Sequence, residues 1–168
     1  LDALAELPKT LRWRFTHVGG GPLRDQLEGR ARRLGIAGRI AWRGAGAQAE
    51  VLAALREGDV FVLAARVAKD GDRDGLPNVI LEAASQELPV VATRVGAVQD
   101  FVMHKVTGLT VVPGRPAELT EALQQLARDP DERRRLGLAA RQRLVEQFDM
   151  EEGAERVASR LAAALERE

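Results

Sequence analysis

From Arg12 to Val18 the chain alternates, with Trp13, Phe15 and His17 on one side and Arg14 and Thr16 on the other. That two-residue period predicts a half-covered strand, stopped by Gly19-Gly20-Gly21-Pro22. The period then changes: Leu23, Leu27, Ala31 and Leu34 recur at helical spacing, and Gly35 stands where a left-handed cap ends such a helix. The unit repeats. Arg39 to Arg43 reads as a short strand, Gln48 to Glu57 as a helix carrying Val51, Leu52 and Leu55, and Asp59 to Ala65 as a continuous apolar strand covered on both faces. After a charged stretch from Arg66 to Gly75, a helix is predicted from Pro77 to Glu87, with Pro77 in its first turn. Pro89 to Thr93 is another buried strand, Val98 to Met103 a short helix, and Leu109 to Val112 a last strand. Pro116 to Arg128, Pro130 to Gln147 and Met150 to Arg167 complete the chain as helices, broken at Asp129-Pro130 and Phe148-Asp149.

Strands alternating with helices predict an α/β fold: a Rossmann-like parallel sheet with helices on both faces, because parallel neighbours need crossover connections. Ligands in such folds collect at the carboxyl ends of the strands, which directs attention to the residues after Val18, Arg43, Ala65, Thr93 and Val112. At 168 residues one domain is the expectation. Basic and acidic residues balance at 25 each, so no global field favours nucleic acid, and any anion site must be local. The absence of cysteine excludes disulfides and thiolate metal sites and suits a reducing cytoplasm. No apolar run has the length of a membrane span.

The candidate chemistry lies in Asp74-Gly75-Leu76-Pro77-Asn78-Val79-Ile80-Leu81-Glu82, an acid in a loop and a second acid inside the following helix. Between them falls a helix N-terminus. Its free N–H groups, from about Leu76 to Val79, and the positive end of its dipole suit phosphate, and Gly75 permits close approach. Glu82 lies one turn past Asn78, about 6 Å along the axis, where a carboxylate would accept hydrogen bonds from ribose hydroxyls. Asp74, on the other side of the phosphate, would do the same for a sugar. The competing reading is structural, since acids near a helix start stabilise it by up to about 1 kcal/mol.

This stretch, continued by Ala83-Ala84 and by Glu87-Leu88-Pro89-Val90-Val91-Ala92-Thr93, resembles the acid, seven residues, glutamate motif of glycosyltransferase family 4. Val18 to Leu23 resembles that family's strand-to-helix glycine turn, Asp59 to Leu63 its buried strand, Thr93 to Gly96 with Asp100 its next glycine loop, and Thr107 to Gly114 its last strand. The likeness runs in order along nearly the whole chain.

The resemblance implies the C-terminal half of a retaining enzyme of the two-domain GT-B fold, using a UDP- or GDP-sugar as donor without a bound metal or other cofactor. By it Glu82 binds the ribose, Asp74 the donor sugar, and the backbone of Gly75, Leu76, Pro77, Asn78 and Val79 the diphosphate and sugar. Gly19, Gly20 and Gly96 line the cleft. It further implies a separate N-terminal acceptor domain, an opening strand with arginine and lysine phosphate ligands ahead of Leu1, and a vacant position between the strands at Arg12 to Val18 and Asp59 to Ala65. The acceptor would be a glycan or lipid-linked, on a cytoplasmic enzyme that touches the membrane peripherally. Three departures stand out: aspartate rather than glutamate at Asp74, Ala97 and Gln99 in the glycine loop, and Asp100 in place of glutamate.

Other patterns carry weaker readings. Gly19-Gly20-Gly21 lacks the third glycine of a dinucleotide loop, where Arg24 stands, so a nicotinamide enzyme or epimerase ranks below a transferase, as does a scaffold with a relict nucleotide site. Asp70-Gly71-Asp72 and Asp72-Arg73-Asp74 fit a metal-binding DxD pattern but read better as solvated loop. Arg66, Lys69 and Arg73 are candidates to replace the phosphate ligands. Arg133, Arg134, Arg135, Arg141 and Arg143 form a basic face that reads as solvated rather than membrane-bound, diluted by Asp131, Glu132 and Glu146. His17, His104, Trp13 and Trp42 read as structural or surface residues.

Overall fold

The computed structural model describes residues 1–67 and 75–148. Asp74, the acid pairs between Asp70 and Asp74, Lys69, Arg73 and the helix expected from Met150 onward lie outside the described residues. In chain order the elements are α1 (Asp2–Ala5), β1 (Phe15–Val18), α2 (Arg24–Arg33), a 3-10 turn (Ala37–Arg39), β2 (Ile40–Gly44), α3 (Gln48–Arg56), β3 (Phe61–Leu63), α4 (Asn78–Ser85), β4 (Val90–Thr93), α5 (Val98–Phe101), β5 (Gly108–Val111), α6 (Pro116–Arg128) and α7 (Pro130–Gln147). The expected alternation is present, and every strand pair is parallel.

The strands β1, β3 and β4 are shorter than the periodicity predicts, because a strand extends only as far as its partner. Phe15 pairs with Ile40, and the residues before Ile40 form the 3-10 turn, so Arg12 to Arg14 have no ladder to join. The helix expected from Pro77 to Glu87 begins one residue later, because Pro77 is its N-cap with an extended ψ of 126°, and it ends at Ser85.

Two sheets result, β1-β2 and β3-β4-β5. Four strand residues of β4, Val90 to Thr93, are buried, as befits the central strand. Its alternation sorts the core. Val90 and Ala92 pack with Leu55, Ile80, Ala83, Phe101 and Ala140 from the helices of one face, while Val91 packs with Ala122, Leu126 and Leu136 on the other. Helices therefore cover both faces.

The facing edges of β1 and β3 line one cavity of about 990 Å³. Among the described residues no strand pairs with either of these edges. Leu4, Leu7 and Leu11 wall the cavity together with Val51, Leu55, Val79 and Leu88. The sheet position expected to be vacant is thus vacant. Two contacts span it. Thr120 of α6 donates to the carbonyl of Ala3, and Arg30 of α2 grips the Asp2 carboxylate at 2.7 Å, so α1 ties the two halves together.

Candidate donor-binding site

Among the described residues no side chain caps the first amides of α4, whose N-cap is Pro77, and its first turn holds no acid. The N–H groups of Asn78 and Val79 have no intrahelical acceptor by position, so the positive end of the helix is left open to an anion. A Cβ at Gly75 would meet no atom of the described residues within 4 Å, its chain neighbours aside. Ile80, Ala83 and Ala84 are buried, which fixes the helix by one face and turns Asn78 outward.

Glu82 lies in the second turn of α4 and is half-buried. Its carbonyl accepts from Ser85, but among the described residues no hydrogen bond or ion pair reaches its carboxylate. A half-buried carboxylate without a partner is the kind of group a ligand hydroxyl satisfies. The glycine turn after β1 is held by the Gly19 amide, which donates to the Gly44 carbonyl at 2.6 Å, and Gly20 is exposed there. Gly96 follows β4 with a φ of 56°, a left-handed conformation that glycine adopts without strain. Gly19, Gly20, Gly75 to Val79 and Gly96 all come after the carboxyl ends of parallel strands in chain order, the side on which ligands collect in such folds.

The arginines of these ends are already engaged: Arg24 with Glu28 at 2.9 Å, Arg43 with Glu57 at 2.7 Å, and Arg94 with Glu118 at 4.0 Å.

Four of the five arginines of α7 are anchored to the fold, which the one-dimensional pattern did not reveal. Arg133 donates to the Leu126 carbonyl at 2.5 Å, Arg135 to Lys105, Arg141 to Ser85 and Arg143 to Asp100. Leu126 and Ser85 lie in the last turns of α6 and α4, where orphan carbonyls and the negative helix end favour a cation. The aromatic residues pack as expected. The Arg39 guanidinium sits 5.1 Å over the Trp13 ring, and His17 lies 5.2 Å from Trp42. His17 Nδ1 is buried with no hydrogen-bond partner among the described residues. His104 Nδ1 accepts the Thr110 amide at 3.1 Å, a structural role.

Comparison with known proteins decides the family. Residues 1–129 match the family described as Glycosyl transferases group 1. This chain is a member of that family. It is 35% identical over 151 residues to the lipopolysaccharide core biosynthesis glycosyltransferase LpsE of Rhizobium meliloti, covering 90% of the chain and 41% of the relative. It is also 35% identical over 133 residues to a GDP-mannose-dependent alpha-(1-6)-phosphatidylinositol monomannoside mannosyltransferase of Mycobacterium tuberculosis, covering 78% and 34%. The crystal structure of Anabaena Alr3699/HepE in complex with UDP superposes with a TM-score of 0.84 at 24% identity, over 96% of this chain and 43% of that one. The glycosyltransferase chain thus spans about two fifths or less of the relatives it matches. Its fold is that of their Rossmann-like halves.

Proposed function

We propose that this chain holds the nucleotide-diphosphate sugar of a retaining glycosyltransferase, as the donor half of a larger enzyme. The observation that carries the reading is the half-buried Glu82 carboxylate, which no described residue pairs with, about one turn from the tip of α4. The tip amides receive the diphosphate, Glu82 the ribose hydroxyls and Asp74 the sugar, with Gly19, Gly20 and Gly96 leaving room for the ligand. In a retaining transfer the acceptor attacks on the face from which the diphosphate departs. The protein's contribution is then to stabilise the leaving group electrostatically.

The rest of the larger enzyme supplies the acceptor site and further cations; among the described residues Arg24, Arg43 and Arg94 at the strand ends are each met by an acid. It also supplies a strand for the cavity between β1 and β3. The acceptor is a glycan or a lipid-linked saccharide, in keeping with relatives of lipopolysaccharide and amylovoran biosynthesis. The base is uracil or guanine, the two represented among the relatives and structural neighbours. No metal takes part. Calorimetry with UDP and GDP, with and without magnesium or manganese and repeated on Glu82→Ala, tests the reading. Binding of one nucleotide that needs no metal and weakens in the variant is expected; no binding of either would point to a scaffold with a relict site.

A further inference from the structure

Thr93 is the last residue of β4 and is 6% exposed. The ladder between β3 and β4 ends with the pair Leu63 and Ala92. Beyond it the Arg94 amide donates to Val111 of β5 at 2.9 Å, as the alternation along β4 requires, and the Val95 amide, the next that would face β3, bonds back to Thr93. Among the described residues the Ala65 carbonyl, beyond the last pair of β3, therefore has no backbone donor from β4. The Thr93 hydroxyl takes that place: Oγ1 donates to the Ala65 carbonyl at 2.6 Å, with the Leu63 carbonyl a secondary neighbour at 3.4 Å. The carbonyl of the same residue accepts the Val95 amide at 2.9 Å, at the turn that carries Gly96 into its left-handed conformation. One side chain and its own backbone thus fix where the chain leaves β3 and where it leaves β4.

We propose that Thr93 is a positioning residue of the donor site, whose hydroxyl holds the ends of β3 and β4 in one register so that the loops after them face a common ligand. The proposal rests on the donor-site reading above. What it requires is a donor hydroxyl on a β4 side chain, not the bulk of that side chain. Valine matches threonine in shape but would leave the Ala65 carbonyl without its donor, whereas serine keeps the hydroxyl and removes only a methyl.

The test uses Thr93→Val and Thr93→Ser in the protein at its natural length, with UDP and GDP affinity by calorimetry and amide exchange by mass spectrometry. Thr93→Val is expected to weaken the nucleotide that binds by about tenfold. It should also speed exchange around Ala65 and Gly96 by about fivefold or more, with Leu109 and Thr110 in β5 unchanged. Thr93→Ser should bind within about twofold of the parent. Unchanged affinity in Thr93→Val, an equal loss in Thr93→Ser, or faster exchange spread evenly into β5 would each overturn the proposal. A parent protein that binds neither nucleotide overturns the donor-site reading and this proposal with it; a parent that binds beside a Thr93→Val that binds equally well overturns this proposal alone.

Discussion

Gly137 of α7 lies directly against the carbonyl oxygen of Glu87, so closely that a Cβ at Gly137 would overlap it. Glu87 itself sits at a φ of 57°, the left-handed residue of a closure in which its amide reaches Ala84 and that of Leu88 reaches Ala83. The end of α4 is therefore set by its contact with α7. Gly137→Ala is expected to lower stability by about 1–3 kcal/mol through overpacking, and Glu87→Gly to raise it by up to about 1 kcal/mol by relieving the left-handed backbone. Thermal unfolding of both variants checks the pair. A neutral Gly137→Ala would mean that the two helices can separate without cost.

Removing the Glu82 carboxylate should affect ligand more than fold, because no residue among those described pairs with it. Glu82→Gln is expected to retain the parent melting temperature and to lose about 1–3 kcal/mol of nucleotide affinity, roughly five- to 150-fold. Calorimetry beside a melting curve separates the two effects. Equal affinity in the variant would remove Glu82 from the site.

Acid should loosen α1. The hydrogen bonds from Arg30 hold the Asp2 carboxyl below its ordinary range. A carboxylate with a depressed value in the folded state contributes stability that is fully present above its ordinary value of about 4 and is lost as the pH falls through the depressed one. The side chains are 39% and 51% exposed, so the contribution is at most about 1 kcal/mol. Asp2→Asn should erase this acid dependence and little else, as read from melting temperatures between pH 3 and 7.

The cavity between β1 and β3 gives a test of the larger enzyme. Polypeptide preceding Leu1 should raise the melting temperature and slow amide exchange at Phe15 to Val18 and Phe61 to Leu63, the two edges that line the cavity. Equal exchange in the short and long forms would show that no strand enters there.

Local physics explains what the sequence by itself determined. Two-residue and helical periods, with Gly35 and the prolines as punctuation, depend only on neighbours in the chain, so the order of strands and helices was legible from Arg12 to Gln147. The family was legible too, because the stretch from Asp74 to Glu82 keeps its spacing within a single loop and helix. Strand lengths were not, since Arg12 to Arg14 alternate correctly but have no partner.

Tertiary structure alone decided the contacts between distant parts of the chain. The Thr93 hydroxyl on Ala65, the arginines of α7 on the carbonyls of Ser85 and Asp100, and Gly137 against Glu87 join residues tens of positions apart. A basic stripe looks the same in sequence whether it faces water or caps helix ends. Likewise, the vacancy between β1 and β3 was an expectation from family likeness, and only the pairing of strands in space gave it walls and a volume.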